Sequence, residues 1–260
     1  MINIDHFNLS AITIDLDWAP DFAIRRTADI LLSKRVKATW FVTHDSPAVR
    51  ELMNNPELFE IGIHPNFMSG STQGRTNAEI LHNLIQIVPM AKSVRTHCLM
   101  QSSAIISELA SNLQNDVSIF LHETPYIVPT AIKFGDRALI RIPYIWAEEE
   151  EMHTSCPFVL GDRFCDWVGL KIFNFHPIHV YLNSKSMVSY HELKNKVSIQ
   201  LCDESEAAPY VYNERGCKGF FSELVERMAN NGDHQTISEI ANKFREEILD
   251  YNRGIDEFKR

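Results

Sequence analysis

The 260-residue chain has no surplus of basic charge, no CxxC pair, and no apolar run approaching the roughly 20 residues that a membrane span needs. Each absence removes a class of function. With 34 Asp+Glu against 25 Lys+Arg and a net charge of −9, the chain lacks the cationic surface that displaces counterions from a phosphate backbone, so no nucleic-acid partner is expected. The same sign disfavours anionic lipid, and no membrane insertion is expected. Cys98, Cys156, Cys165, Cys202 and Cys217 are odd in number and unpaired in spacing, which suits reduced thiols better than a disulfide framework or a structural zinc site. The first residues, Met1-Ile2-Asn3-Ile4-Asp5-His6-Phe7, have no positive n-region and no apolar h-region, so a cytoplasmic protein is the expectation. HExxH, the phosphate-binding Walker loop, GxGxxG and GxSxG are also missing, and with them the sites they would mark.

What is present is alternation. Strand-like runs at Leu9–Leu16, Val36–Val42, Phe59–Ile63, Ser93–Thr96, Val117–Leu121, Ala138–Ile142 and Lys171–Phe175 are interleaved with helix signatures. Asp21 is a candidate cap before Ala23–Leu32, and Ser46 precedes Pro47 at a first-turn position. Asn77 precedes Ala78–Val88, and Ser102 or Ser103 precedes Ile105–Leu113. Strand–helix alternation predicts parallel strands covered by helices, here an α/β fold with a distorted barrel of about seven parallel strands. After about Tyr190 the strand pattern fades, and two amphipathic helices are expected. One is Lys218–Ala229; the other follows the capping box Thr236-Ile-Ser-Glu239 and carries Ile237, Ile240, Phe244, Ile248 and Tyr251. No linker divides the chain, so residues 1–260 read as one domain with a C-terminal helical extension over about 190–260.

In a parallel barrel, chemistry gathers where strands end. Asp15 and Asp17 end the first expected strand, His64 follows the third, His97 the fourth, His122 the fifth, and His176 and His179 the seventh. A lone histidine at a strand end is commonly a loop residue, and paired aspartates are commonly turn chemistry. Their recurrence at equivalent positions points instead to a divalent metal, since imidazole and carboxylate are the usual ligands of a catalytic zinc-like ion.

The run Val36-Lys37-Ala38-Thr39-Trp40-Phe41-Val42-Thr43 resembles the second-strand signature of the polysaccharide deacetylases of NodB-homology, carbohydrate esterase 4 type. Thr13-Ile14-Asp15-Leu16-Asp17-Trp18 is similar to their first motif, and Glu60-Ile61-Gly62-Ile63-His64-Pro65 to their second. Arg95, Asp166-Trp167 and Phe175-His176-Pro177 resemble later motifs in the expected order, so that the likeness covers about residues 8–183. The resemblance implies a metal-dependent deacetylase or amidohydrolase in which Asp15 is the base, Arg95 holds it, and His176 is the acid, while Asp17 and His64 bind the ion. Two departures stand out. The family's adjacent acid pair is split by Leu16, although strand alternation would return Asp15 and Asp17 to one face. The family's second histidine ligand falls on Met68, which leaves His97 as the first candidate for the third ligand and Asn66 or His122 behind it.

The implied reaction is hydrolysis of an acetamido group, with zinc the leading metal and cobalt, nickel or manganese as others. The implied substrate is a small-molecule or oligosaccharide amino sugar, and a soluble surface-polysaccharide precursor suits the expected location. Trp18, Phe67, Tyr144 and Trp146 are candidate sugar-stacking aromatics, and Glu148 to Glu151 reads first as a solvated acidic loop. Rival readings are a glycan-binding relative without catalysis, an allantoinase-like amidohydrolase and a metal-free barrel. The sequence leaves the oligomeric state open.

Overall fold

The computed structural model describes residues 3–135, 137–154 and 157–258, with side chains up to Ile248. Cys156 and the side chain of Tyr251 lie outside the described residues. The strands are β1 (Ser10–Asp15), β2 (Ala38–Val42), β3 (Phe59–Ile63), β4 (Ser93–Val94), β5 (Asn115–Asp116), β6 (Thr130–Phe134), β7 (Arg137–Arg141), β8 (Trp146–Ala147) and β9 (Lys171–Phe175). They form one curled sheet in the order β6-β7-β5-β4-β3-β2-β1-β9-β8, in which only the β6–β7 pair is antiparallel.

Residues 142–145 carry the chain from β7 to β8 and bring the two sides of the sheet together. There Tyr144 N–H donates to Ile119 O (2.9 Å), Leu121 N–H to Tyr144 O (2.9 Å), and Ile145 N–H to Ile172 O (3.0 Å). The result is the expected distorted, mostly parallel barrel, with nine strands rather than seven. The expected strand at Val117–Leu121 is replaced by the shorter Asn115–Asp116. The Asp116 carboxylate accepts the Ser118 N–H (2.9 Å), an Asx turn that ends the ladder early. The additional β6 is largely exposed, so it lacks the apolar run that marks a buried strand.

The helices are α1 (Asp21–Lys34), α2 (Pro47–Met53), α3 (Asn77–Ile87), α4 (Ser103–Asn112), α5 (Glu148–Glu151), α6 (Pro177–Leu182), α7 (Val188–Lys194), α8 (Glu204–Ala207), α9 (Cys217–Asn231) and α10 (Ile237–Phe258). Ser46 and Ser102 cap α2 and α4, accepting the N–H groups of Val49 and Ile105. Two expected caps shift by one residue. Thr76 rather than Asn77 caps α3, and α1 begins at Asp21 itself, behind Pro20, without a side-chain cap.

All of β1 is buried, as in a sheet covered on both faces. The apolar core runs from Phe7 to Phe244 and takes in Phe220, Phe221 and Leu224 of α9 and Ile240 of α10. A smaller cluster joins Ile178 and Leu182 of α6 to Leu193 of α7 and Ile199. At the N-terminal end of the strands, the Glu60 carboxylate accepts the Ser238 N–H (2.8 Å) and bonds Thr39 and Ser93, so a buried-side acid meets the first turn of α10. Among the described residues no helix is long and apolar enough to cross a membrane. Cys98 and Cys165 are exposed free thiols, whereas Cys202 and Cys217 are buried ones.

Candidate active site

Asp15 is the last residue of β1, and alternation along the strand puts it on the same inward face as Thr13. Asp17 reaches the same cavity by a different route from the one expected. The strand has ended, and Asp17 and Trp18 both adopt left-handed backbone (φ 43° and 55°), a turn that costs of order 1–3 kcal/mol per non-glycine residue and is typically kept at functional sites. His64 follows β3, His97 follows β4, and His176 follows β9. Of the six residues to which the resemblance gives a role or a candidate role, Asp15, Asp17, His64, His97 and His176 line one cavity of about 450 Å³. Arg95 lies buried behind Asp15.

Three donor atoms converge at the cavity wall. Asp17 Oδ1 is 3.0 Å from His64 Nε2 and 3.1 Å from His97 Nδ1, and the two ring nitrogens are 3.4 Å apart. His64 Nδ1 lies 2.7 Å from the carbonyl oxygen of Arg95. A carbonyl only accepts, so Nδ1 carries a proton and Nε2 is the nitrogen that faces the cluster, a donor to Asp17 when it too carries a proton and a metal ligand when it does not. Burial alone would raise the Asp17 carboxyl, but hydrogen bonds from His64 and His97 hold it well below its usual range. Burial alone would lower His97, and Asp17 raises it instead. His97, the first candidate for the third ligand, therefore meets Asp17 and His64 at one point of the cavity wall. Met68 is exposed on its loop, His122 is exposed and packs near Phe120, and the side-chain Oδ1 of Asn66 accepts the Met68 N–H.

Behind this cluster sits a second set of groups. Arg95 donates to Asp15 Oδ1 (3.0 Å), to Thr13 Oγ1 (2.9 Å) and to the Val117 carbonyl (3.2 Å), and its guanidinium lies 4.3 Å from the Tyr144 ring centroid. Asn174 was not foreseen. Its Nδ2 donates to Asp15 Oδ2 (2.9 Å) and its Oδ1 accepts from Arg95, so both carboxylate oxygens are held. The available signal was parity, since Asn174 lies two residues before His176 at the end of β9.

His176 Nε2 faces the aspartates, 4.0 Å from Asp15 Oδ2 and 3.6 Å from Asp17 Oδ2. Its Nδ1 is 2.7 Å from Glu148 Oε1, which also accepts the His176 backbone N–H (2.6 Å). Burial opposes charge on this histidine, but the Glu148 carboxylate and its hydrogen bond hold the imidazolium well above its usual range. The acidic run is thus not simply a solvated loop: Glu148 and Glu151 are fully buried and Glu149 and Glu150 face the cavity rim. Burial at i and i+3 is a helical pattern that four consecutive glutamates conceal.

Other expectations are corrected. Asp166 is exposed and Trp167 packs edge-on against Phe164, so neither lines the cavity. Trp146 is fully buried and stacked on Phe220 (4.5 Å, 8°), and Phe67 belongs to the core; only Trp18 and Tyr144 of the four aromatics line a cavity.

His179, one helical turn beyond His176, is a different kind of group. It is buried against Ser184 Oγ (3.1 Å), and desolvation pushes it down to about 3. The folded protein therefore binds this proton less readily than the unfolded chain, and stability falls as pH drops below 6.5 toward 3. Between pH 7 and 5 the loss is about 2 kcal/mol. Urea unfolding of His179→Gln at both pH values is expected to show that much less pH dependence than the parent; an unchanged difference would reject this source.

The comparisons agree with the architecture. The family model described as "WbmS-like: Polysaccharide deacetylase" matches residues 12–194. A solved structure of WbmS from Bordetella bronchiseptica, a candidate polysaccharide deacetylase involved in O-antigen biosynthesis, is 29% identical, with a TM-score of 0.75 over 85% of this chain and 91% of that one. A family 4 carbohydrate esterase from Bacillus anthracis is 12% identical, with a TM-score of 0.47 over 92% of this chain and 84% of that one. The 4-alpha-glucanotransferase of Thermococcus litoralis shares the fold at 10% identity, with a TM-score of 0.53 over 90% of this chain and 38% of that one. No curated protein matches by sequence. Matched by that family's model over residues 12–194, which take in both sets of site residues, the chain belongs to the WbmS-like polysaccharide deacetylases, hydrolases of non-peptide C–N bonds.

Proposed function

We propose that the protein is a metal-dependent hydrolase that removes an acetyl or related acyl group from an N-acylated amino sugar of surface-polysaccharide metabolism. The observation that carries the reading is the convergence of Asp17, His64 and His97, whose ligand atoms lie within 4.8 Å of one another. One carboxylate and two imidazoles, one of them anchored through its outer N–H, suit a borderline divalent ion, zinc before cobalt, nickel or manganese. The relative described as acting in O-antigen biosynthesis supports a sugar of that class.

When bound, such an ion supplies Lewis-acid polarisation of the acyl carbonyl and makes a nearby water more acidic. The remaining roles belong to the chain. Asp15 accepts the proton of the attacking water, and Arg95 and Asn174 fix the orientation of its carboxylate. His176, held by Glu148, presents Nε2–H toward the departing nitrogen and protonates it as the C–N bond breaks.

Elemental analysis of protein purified without chelator is expected to find about one divalent ion per chain, with His97→Ala losing most of it. Chelation should abolish hydrolysis, and resupplied metal should restore it. Persistent absence of metal after supplementation would favour the glycan-binding reading, and activity that survives chelation would favour the metal-free barrel.

A further inference from the structure

Asp15 ends β1 and His176 follows β9, and the opposite ends of the same two strands open on a separate cavity. Ser10 and Lys171, register partners at the start of β1 and β9, line a space of about 210 Å³ that α9 closes with Arg227 and Asn231. It shares no lining residue with the cavity of the donor cluster.

The charges of this space do not balance. Lys171 is 9% exposed, and its ammonium meets only neutral acceptors: the Asn8 side-chain oxygen and the Trp167 and Gly169 carbonyls, the last two at 3.4 Å each. Arg227 donates to the Gly161 carbonyl and to the Arg163 carbonyl (3.0 Å). Neither cation forms an ion pair among the described residues. Asp233 is the only acid among the described lining residues, and Ser10 occupies both its oxygens, through its N–H (3.0 Å) and its Oγ–H (2.5 Å). Burial lowers the Lys171 ammonium from its usual value, and Asp233 offsets this only in part. A buried ammonium is costly unless an opposite charge meets it, and here two cations face one committed carboxylate.

The donors suit a small guest. Contacts of 3.4 Å lie at the outer limit of hydrogen bonding, so Lys171 can turn an N–H group toward a better acceptor. Asn8 uses its oxygen on Lys171 and leaves its NH2 group for the same purpose. Guanidinium and ammonium groups are the usual partners of carboxylate and phosphate, and a space of about 210 Å³ admits one such group rather than a nucleotide. We propose that this cavity is a binding site for one small oxyanion, a phosphate group or a short carboxylate, held between Lys171 and Arg227 at the end of the barrel remote from the donor cluster. The site stands independently of the hydrolytic reading. Its occupant joins the start of β9 to α9 and so favours the folded chain.

Cys165 supplies a reporter, since its exposed thiol lines the same cavity and its Sγ lies 3.6 Å from Arg227 Nη1. Iodoacetate is a small carboxylate and iodoacetamide its neutral counterpart. With either reagent the Cys165 sulfur bonds the methylene carbon, iodide departs and the thiol proton passes to buffer. Peptide mass mapping of the full-length protein follows Cys165 separately from Cys98. The ratio of the iodoacetate rate to the iodoacetamide rate at Cys165 is expected to fall about fivefold in Lys171→Met, the effect of removing one unit charge about 4 Å away in water. Arg227→Gln, on a partly exposed helix position, should lower the ratio likewise and serves if Lys171→Met does not fold. Inorganic phosphate or acetate should slow iodoacetate at Cys165 in the parent, while chloride at the same ionic strength should not. Protection by phosphate alone identifies a phosphate site, and protection by acetate alone a carboxylate site. An unchanged ratio in a folded variant, no protection by either anion, or equal slowing by chloride would overturn the proposal.

Discussion

Asp15→Asn is expected to lower kcat by about 1,000-fold while leaving the divalent-ion content unchanged, because the amide cannot accept a proton from water and general-base catalysis contributes on the order of 10²–10⁴-fold. The substitution is nearly isosteric but not electrically silent. Asn174 donates to one carboxylate oxygen and Arg95 to the other, so an amide at position 15 must point its own NH2 at one of two donors. Arg95 is 1% exposed, and with Asp15 gone it keeps only neutral acceptors: Thr13, Asn174 and the Val117 carbonyl. A moderate loss of stability should therefore accompany the loss of rate. Circular dichroism and metal analysis of the same sample separate the effects. A folded, metal-loaded variant with parental kcat would remove Asp15 from proton transfer, and loss of the ion would move it into the ligand set.

The individual residues of this site were legible because a parallel barrel turns strand order into spatial convergence. His64, His97 and His176 each follow a strand by one to three residues, and that regularity is visible without coordinates. The route by which Asp17 arrives was not legible. Strand alternation predicts the correct shared cavity for a reason that does not apply, since β1 ends at Asp15 and a left-handed turn supplies the rest. Asn174 and Glu148 were missed for opposite reasons. Asn174 sits among Phe173 and Phe175, where one polar residue reads as an interruption of an apolar strand. Glu148 sits in a run of its own kind, which hides the burial that distinguishes it from Glu149. The Asp166-Trp167 pair shows the converse. A two-residue likeness holds little information, and the carboxylate that meets His176 is that of Glu148 in α5.

The largest loss of stability is expected at Glu151, which touches no part of the donor cluster. Its side chain is fully buried, and each oxygen is used more than once. Oε2 accepts Trp146 Nε1–H (2.7 Å), Oε1 accepts the Phe158 N–H (2.9 Å), and the Arg163 guanidinium approaches both at 2.9–3.1 Å. Removing the carboxylate leaves two buried N–H groups without acceptors and a cation that retains only the exposed Glu123 and the Val159 carbonyl. Each buried donor left unpaired costs about 1–3 kcal/mol, so Glu151→Ala should lower Tm by about 10 °C. The consequence reaches the site through α5, because Glu148 lies one turn earlier on the same short helix and orients His176. Well below its Tm the variant should therefore retain an ion at the proposed ligands Asp17, His64 and His97, yet turn over more slowly as the Glu148–His176 contact loosens. Thermal unfolding followed by circular dichroism, with metal analysis at 20 °C, tests both halves. A Tm within a degree or two of the parent would show that the carboxylate is dispensable to the packing of Trp146, Phe158 and Arg163.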